Sequence, residues 1–441
     1  MARRVAIIGA GAAGLTSARW LREAGLDTVA FERTEAVGGL WRPDTGLAYP
    51  SLQTNTSKQK TAFSDLAFDG SVPDFPKRDE VLAYLERYAD VTGVRPAIRF
   101  GQAVQSVQPI RSIPRGAGGW TVDGEPFDFV VVATGLFARA LEPALEGRER
   151  FRGAIIHARG YRDAAAFAGR DVVVAGAGSS GADIAVDLAP VALSVTLAVR
   201  EMPLFTPRHH RGRPYDHRAT RLALMLPLRV RRWRARRVLA QEYARRGQRL
   251  TRMSIKGTPG MELLDEVAAG RVVMRPAIAA LDEGGAIFAD GSRIDADAVI
   301  LATGYAADFP FLPEGVPARI GGALALYRLV FPPGIGGLAF VGMTRVSGPV
   351  FPVAELQARW IAAVFTGRAQ LPPADAMHAE IDGRIARARA GHDDQMRVEF
   401  LSYADDIAGR IGARPSLWRH PRLLTSPVSA RDYRQRLRLL Q

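Results

Sequence analysis

The sequence predicts an α/β protein with two Rossmann-like dinucleotide-binding domains, one inserted in the other. Two repeated patterns carry this expectation. A Gly-x-Gly-x-x-Gly turn follows an apolar run at residues 9–14 and again at 176–181, and a short apolar strand runs into Ala-Thr-Gly at 133–135 and again at 302–304. At 441 residues, 47% of them hydrophobic, the chain has apolar material for two cores of ordinary size.

The first thirty-odd residues read as strand, turn, helix, strand. Arg4-Val5-Ala6-Ile7-Ile8 is the buried run, and Gly9-Ala10-Gly11-Ala12-Ala13-Gly14 follows at once. Thr16 to Ala24 has helical spacing, Gly25 closes the helix, and Thr28-Val29-Ala30-Phe31 is the next strand. Gly9 permits the tight bend, Gly11 lets backbone approach a pyrophosphate, and Gly14 lets the helix pack on the strand. The free N–H groups of the helix start face the phosphates. Glu32 ends the second strand, where a carboxylate accepts hydrogen bonds from a ribose hydroxyl.

The second copy is Asp171-Val172-Val173-Val174-Ala175, the turn Gly176-Ala177-Gly178-Ser179-Ser180-Gly181, and a helix from Ala182 through Asp183 to Ala189. Its next strand, Val195 to Val199, ends in Arg200 where the first copy has an acid. A carboxylate repels a 2′-phosphate, whereas a guanidinium fork binds it through charge-assisted hydrogen bonds. The second nucleotide is therefore expected to be NADPH rather than NADH.

Composition removes whole classes of chemistry. With no cysteine in the chain, disulfides, thiolate metal sites, catalytic thiols and dithiol redox relays are excluded, and no metal site is expected. Electrons from a nicotinamide must then leave a flavin by another route, for which O2 is the evident acceptor. Met1-Ala2-Arg3-Arg4 runs straight into the first strand, unlike a signal peptide, and no run of eighteen apolar residues occurs, so a cytoplasmic location without a spanning helix is expected. The net charge of +14 is almost wholly arginine, since lysine occurs only at Lys58, Lys60, Lys77 and Lys256. No nucleic-acid module accompanies that charge, and a nucleic-acid partner is not expected.

Further motifs make the sequence recognisable. Phe151-Arg152-Gly153-Ala154-Ile155-Ile156-His157-Ala158-Arg159-Gly160-Tyr161 fits FxGxxxHxxxY at every fixed position. Tyr49 to Lys58 contains Thr54-Asn55-Thr56 and precedes Phe63-Ser64-Asp65; Gly38-Gly39-Leu40-Trp41, Ala302-Thr303-Gly304-Tyr305, Val330-Phe331-Pro332-Pro333 and Gly348 to Trp360 complete the set. In this order and spacing, from Val5 to about Arg436, the chain resembles the flavin-containing monooxygenase family. It departs in ending soon after Tyr433, without the hydrophobic tail that anchors animal members, and in having Ser179 where asparagine is frequent.

The resemblance implies FAD and NADPH as cofactors, O2 and a small nucleophilic molecule as substrates, and a flavin hydroperoxide that oxygenates a soft nitrogen or sulfur centre. It maps the family's active-site asparagine onto Asn55, whose amide can donate and accept near the flavin edge without changing charge. Leu40, Trp41, Thr54, Thr56 and Gly135 join the cofactor-binding set, together with Gln357, expected to head a long helix at the floor of the FAD site. His157 is expected to act structurally at the connection between the domains.

Motif order places the FAD domain at residues 1–147 and 309–441 and the NADPH domain at 148–308, with the two Thr-Gly turns marking the crossings. Arginines alternate with Leu222, Met225, Leu228, Trp233 and Tyr243 between Arg221 and Arg252, which predicts amphipathic helices broken at Pro227 and packed on the nucleotide domain with their arginines in water. A membrane-surface or gating role for that segment is the competing expectation. Baeyer–Villiger oxygenation of a ketone and an H2O2-producing NADPH oxidase are the competing activities; Tyr161 speaks against the former, whose sister family tends to have tryptophan there. The sequence leaves oligomeric state open, a homodimer included.

Overall fold

The computed structural model describes residues 2–110, 119–201, 203–250, 257–320, 322–391 and 394–433. Its N-terminal unit starts with β1 (Arg4–Ile8), α1 (Ala12–Glu23) and β2 (Asp27–Phe31), then α2 (Arg78–Val91) and β3 (Ile98–Arg99). A meander of β4 (Val107–Pro109), β5 (Trp120–Val122) and β6 (Glu125–Phe127) leads into β7 (Phe129–Val132). The second unit has β8 (Ala154–His157), β9 (Asp171–Ala175), α3 (Ser179–Leu188), β10 (Ser194–Ala198), α4 (Arg221–Met225), α5 (Leu228–Ala244), α6 (Met261–Ala268) and β11 (Val272–Arg275). Another meander, β12 (Ile278–Leu281), β13 (Gly285–Phe288) and β14 (Arg293–Asp295), leads into β15 (Ala298–Leu301). The chain then returns with β16 (Leu338–Phe340), α7 (Val350–Phe365) and α8 (Phe400–Arg410).

Two five-stranded parallel sheets result, in the orders β16-β7-β1-β2-β3 and β8-β15-β9-β10-β11. The orders correspond strand for strand. The difference lies in the outermost strand: the first sheet takes it from the returning chain, the second from the segment before its own glycine turn. Central strands β7 and β15 are buried throughout, as sheets covered on both faces require.

The glycines show why the helices sit where they do. A Cβ on Gly14 would lie 1.8 Å from the Gly9 carbonyl oxygen, and one on Gly181 would lie 1.8 Å from that of Gly176. Gly9 and Gly176 have φ of 105° and 109°, and a Cβ there would meet the carbonyl oxygens of Ala133 and Ala302 at 2.9 and 2.7 Å. Both helices therefore start inside the turn, earlier than their apolar spacing indicates.

On one side of the first sheet, α1 packs against α7, most of whose residues are buried. Arg359 of α7 lies buried over the Trp20 ring at 5.1 Å and donates to the Tyr433 carbonyl at 3.1 Å. The chain passes from the first sheet to the second between β7 and β8 and returns after β15; Gly135 and Gly304, both with positive φ, lie on these connections, and Arg139–Ala140 pairs antiparallel with Tyr305–Ala306.

His157 ties the signature segment to this crossing. It is buried, its Nδ1 accepts from the Arg159 amide at 3.1 Å, and its Nε2 lies 3.1 Å from the Gly304 carbonyl oxygen, so Nε2 holds the proton. Its ring also meets Tyr305 edge-on at 4.9 Å. Burial holds the imidazole below its ordinary value of 6.5, the Gly304 carbonyl opposing this. In the window between that lowered value and 6.5 the unfolded chain binds a proton that the folded one does not, so stability falls as pH drops through it. Chemical denaturation across this window is expected to give a shallower pH dependence for His157→Gln than for wild type, by up to about 1.4 kcal/mol per pH unit. Parallel curves would show that His157 titrates alike in both states.

Candidate functional site

Each glycine turn presents an uncapped helix start. Gly11 and Gly178 are the N-cap residues, neither helix has a side-chain cap, and neither has an acid in its first turn. The unsatisfied N–H groups and the positive end of the dipole are thus left for an anion. Above Gly178 nothing lies within 4 Å of an added Cβ, whereas Gly11 packs against Gly39, where its Cβ would lie 3.3 Å from Cα. The Gly39–Trp41 turn, with Leu40 and half-buried Trp41, so closes over the first site.

Glu32 is buried at the end of β2. Its Oε2 accepts from the Ala10 amide at 2.7 Å and its Oε1 from the Thr34 amide and hydroxyl at 3.0 and 2.9 Å. A carboxylate has about four acceptor positions, and three are used in shaping the turn, which leaves one on Oε2 for a ribose hydroxyl. Arg200 lies two residues beyond β10 and is exposed, beside the turn that Gly176 to Ala182 forms at the end of the adjacent strand. A phosphate-bearing nucleotide fits both turns, since each helix start has free donors and no acid in its first turn, and the second also has open space above Gly178.

Asn55 is exposed, on a segment fixed at several points. Buried Thr54 donates its amide to the Pro76 carbonyl at 2.9 Å and its hydroxyl to the Thr56 carbonyl at 2.9 Å. Upstream, the Tyr49 hydroxyl donates to Asp183 Oδ2 at 3.2 Å. Downstream, the Ser57 amide donates to Asp216 at 2.8 Å, and Ser64 gives its amide to Glu355 Oε2 at 2.8 Å and its hydroxyl to Glu355 Oε1. The Asn55 segment is thereby bound to the inserted unit through Tyr49 and Ser57, and to the returning chain through Ser64.

Two of these anchors are perturbed acids. Burial raises Asp183 to about 6, with Arg208 and the Tyr49 hydroxyl opposing the rise; burial raises Glu355 to about 7, with Arg359 and Ser64 opposing. Asp183 was expected in the cofactor-binding set, yet its side chain points across to Tyr49. One helical turn on, Asp187 accepts from the Tyr161 hydroxyl at 2.6 Å, and the rings of Tyr49 and Tyr161 meet edge-on at 5.7 Å. A cleft of about 200 Å³ opens here between Ser51 and Gln53 on one side and Asp183, Asp187, Arg208 and Glu262 on the other. A larger cleft of about 710 Å³, lined by Arg328, Arg384 and Tyr403, includes none of the expected cofactor residues.

Gln357 corrects one expectation. The helix begins at Val350, so Gln357 sits in its interior, fully buried, and not at its head. Its Oε1 accepts from the Gly342 amide at 2.9 Å and its Nε2 donates to the Tyr403 hydroxyl at 2.7 Å. Gly342 lies just beyond β16, where an added Cβ would come within 3.4 Å of the Ala13 methyl. Gln357 therefore holds the loop that faces the start of α1, one layer behind the surface open to a nucleotide.

Sequence reasoning missed Tyr49, Asp187, Ser64 and Glu355 as organisers of the site. Glu355 and Arg359 did leave a trace: an acid and a base four apart within an otherwise apolar helix signal a buried polar arrangement.

Comparison with known proteins bears on the whole chain. The family described as "Flavin-binding monooxygenase-like" matches residues 2–432. Flavin-containing monooxygenase 5 of Oryctolagus cuniculus is 34% identical, covering 94% of this chain and 84% of its own length. Dimethylaniline monooxygenase [N-oxide-forming] 4 of Rattus norvegicus is 32% identical, covering 95% and 80%. Among solved structures, S-allyl-L-cysteine S-oxygenase from Allium sativum superposes with a TM-score of 0.71 at 27% identity, covering 96% of this chain and 91% of its own. The open form of cyclohexanone monooxygenase, at 20% identity, 92% and 97% coverage and a TM-score of 0.66, shares the fold. With two glycine turns of matching geometry and a family match over residues 2–432, the chain belongs to the flavin-containing monooxygenase family of FAD- and NADPH-dependent enzymes.

Proposed function

We propose that this monooxygenase transfers one oxygen atom of O2 to a soft nitrogen or sulfur centre of a small molecule, by the peroxide route that the family resemblance implies. The observation that carries the reading is the fixing of the Asn55 segment between the two nucleotide-binding units. The flavin, when bound, supplies the electron transfer and oxygen activation. The chain's own task is to hold both nucleotides, keep water from the reacting atoms and place Asn55.

In this reading, Gly9 to Gly14, Glu32, Leu40 and Trp41 hold FAD, with Gln357 supporting from behind. Gly176 to Gly181 hold the NADPH pyrophosphate and Arg200 its 2′-phosphate. The domains exchange near residues 147 and 308, flanking the paired strands at the crossing. Relatives named for N-oxide formation and for S-oxygenation support a nitrogen or sulfur acceptor. The Tyr161 hydroxyl bond to Asp187 supports it too, because the tryptophan of the ketone-oxidising sister family has no equivalent phenol.

The deciding experiment incubates the FAD-loaded enzyme with NADPH in air and, in turn, a methyl sulfide, a tertiary amine and a simple ketone. Sulfoxide or N-oxide formed in step with NADPH consumed is the expected result. If NADPH is always matched by H2O2 whatever is added, the oxygen-transfer reading fails; ester from the ketone alone would favour Baeyer–Villiger chemistry. In the same assay Asn55→Ala is expected to keep its flavin but release several times more peroxide per NADPH. Arg200→Ala is expected to lower kcat/KM for NADPH about tenfold to a hundredfold while leaving NADH nearly unchanged, a loss of about 1.4 to 2.8 kcal/mol. Equal losses for the two nucleotides would place the 2′-phosphate elsewhere.

A further inference from the structure

The inserted unit reaches both flanks of Asn55 through a loop that neither glycine turn uses. A hairpin, His209–His210 with Arg213–Pro214, runs into a single turn of helix, Tyr215–Arg218. On one flank His209 Nε2 lies 3.0 Å from Asp74 Oδ2 and its ring meets Phe75 edge-on at 5.1 Å, next to the Pro76 carbonyl that takes the Thr54 amide. On the other, Asp216 and His217 meet Ser57, and the Ala219 carbonyl oxygen lies 3.5 Å from Nζ of buried Lys60.

The loop is rooted where the arginine-rich segment begins. Buried Arg221 contacts both Asp405 oxygens at 3.0 and 2.7 Å and the Tyr433 hydroxyl at 3.0 Å, so it is not in water as its segment predicts. Pro227 breaks the helix as expected, but the turns of α5 before Leu239, with arginines at 229, 231, 232, 234, 236 and 237, bury none of their residues, and no apolar face packs there on the nucleotide domain; residues 251 and 252 lie outside the described residues.

Ser57 is fully buried at the N-cap of the short helix Lys58–Thr61, where a serine hydroxyl ordinarily accepts from the first turn, yet it makes no capping bond. Among the described residues its Oγ has one partner, His217 Nε2 at 3.1 Å. A buried hydroxyl whose one partner can accept donates to it, so Nε2 is unprotonated and Nδ1 holds the proton of the neutral ring. The Oδ1 of Asp216 is buried without a hydrogen bond, 4.0 Å from the same Nε2. Protonating Nε2 would take the acceptor from the Ser57 hydroxyl and draw the ring toward Asp216. Burial holds His217 below its ordinary value of 6.5, Lys60 adding to this and Asp216 and Asp74 opposing it, so the neutral ring prevails near neutrality.

We propose that His217 is a positioning residue: through the Ser57 hydroxyl its neutral ring fixes the segment that presents Asn55, and so keeps oxygen transfer coupled to NADPH oxidation. The coupling rests on the oxygen-transfer reading above; the hold on the segment does not. Asn55 is exposed, and its freedom is limited by the bonds at Thr54 and Ser57, so loosening Ser57 widens the range of positions the amide samples. Wider sampling lowers the fraction of turnovers in which the amide stands where the reaction needs it.

Two measurements on the full-length, FAD-loaded enzyme test this. Amide hydrogen exchange at Ser57 is expected to be about tenfold faster in His217→Leu than in wild type, and unchanged in His217→Gln, whose side-chain oxygen accepts the Ser57 bond and does not titrate. With NADPH and a methyl sulfide at about pH 8, His217→Leu is expected to release several times more peroxide per NADPH, and His217→Gln as little as wild type. Toward about pH 5.5 wild type is expected to lose coupling sooner than His217→Gln; Asp183 and Glu355 titrate in both proteins, so the difference belongs to His217. Ser57→Ala is expected to reproduce the leucine variant and to add nothing to it, which reads the same bond should that variant lose its flavin. Wild-type exchange and coupling in Ser57→Ala overturn the proposal, and so do parallel pH profiles for wild type and His217→Gln. If wild type turns all its NADPH into H2O2, the oxygen-transfer reading falls, and with it the coupling; the exchange rates still decide whether His217 holds the segment.

Discussion

The close approach of each glycine turn to backbone carbonyl oxygens leaves no room for a side chain, and it sets where each helix begins. A side chain at Gly14 or Gly181 would overlap backbone, so each helix is drawn down onto the end of its strand. A side chain at Gly9 or Gly176 would likewise meet the Ala133 or Ala302 carbonyl oxygen, at 2.9 and 2.7 Å. Those alanines begin the Ala-Thr-Gly segments through which the chain leaves one unit for the other. The glycine turns and the segments that lead from one unit to the other are therefore packed together, and a shift at one must be felt at the other.

The two turns share their geometry and differ in electrostatics. Neither helix start has a capping side chain or an acid in its first turn, so both offer unopposed donors to a pyrophosphate. The end of the neighbouring strand carries a carboxylate in one unit, Glu32, and a guanidinium in the other, Arg200, the difference on which the proposed assignment of the two nucleotides rests. Glu32 also accepts from the Ala10 amide, so the group that would bind ribose also shapes the turn that would bind phosphate. Arg200 has no such duty, and its exposure leaves it free to follow the nucleotide.

How much of this could be read in the sequence depends on the distance over which each feature acts. The strands, turns and helices around both phosphate sites are local, because glycine spacing and buried apolar runs occupy a few consecutive residues. Apolar spacing starts their helices some residues late, since the turn glycines and alanines have no apolar period. The sequence puts Gln357 at a helix head because nothing in Gly348 to Pro352 resembles a capped start, and the true beginning at Val350 relies on packing. The bond from Tyr49 to Asp183 spans 134 positions and that from Ser64 to Glu355 spans 291, beyond any local pattern. The amphipathic expectation for the arginine segment failed for a different reason: arginines occupy every face of its exposed turns.

These long-range bonds explain why Asn55 can be both exposed and well placed. An exposed asparagine on a free loop would sample many positions, at an entropic cost on each turnover. Here Tyr49 and Ser57 bind the segment to the inserted unit, and Ser64 binds it to α7, whose Gln357 in turn fixes the Gly342 loop at the start of α1. Movement of one unit against the other about Gly135 and Gly304 would pull on this segment from both sides. Two of the acceptors in this set, Asp183 and Glu355, are acids whose proton affinity burial has raised, so they hold the segment most strongly when ionised and weaken on acidification. The placement of the Asn55 segment thus depends on a set of hydrogen bonds outside both glycine turns.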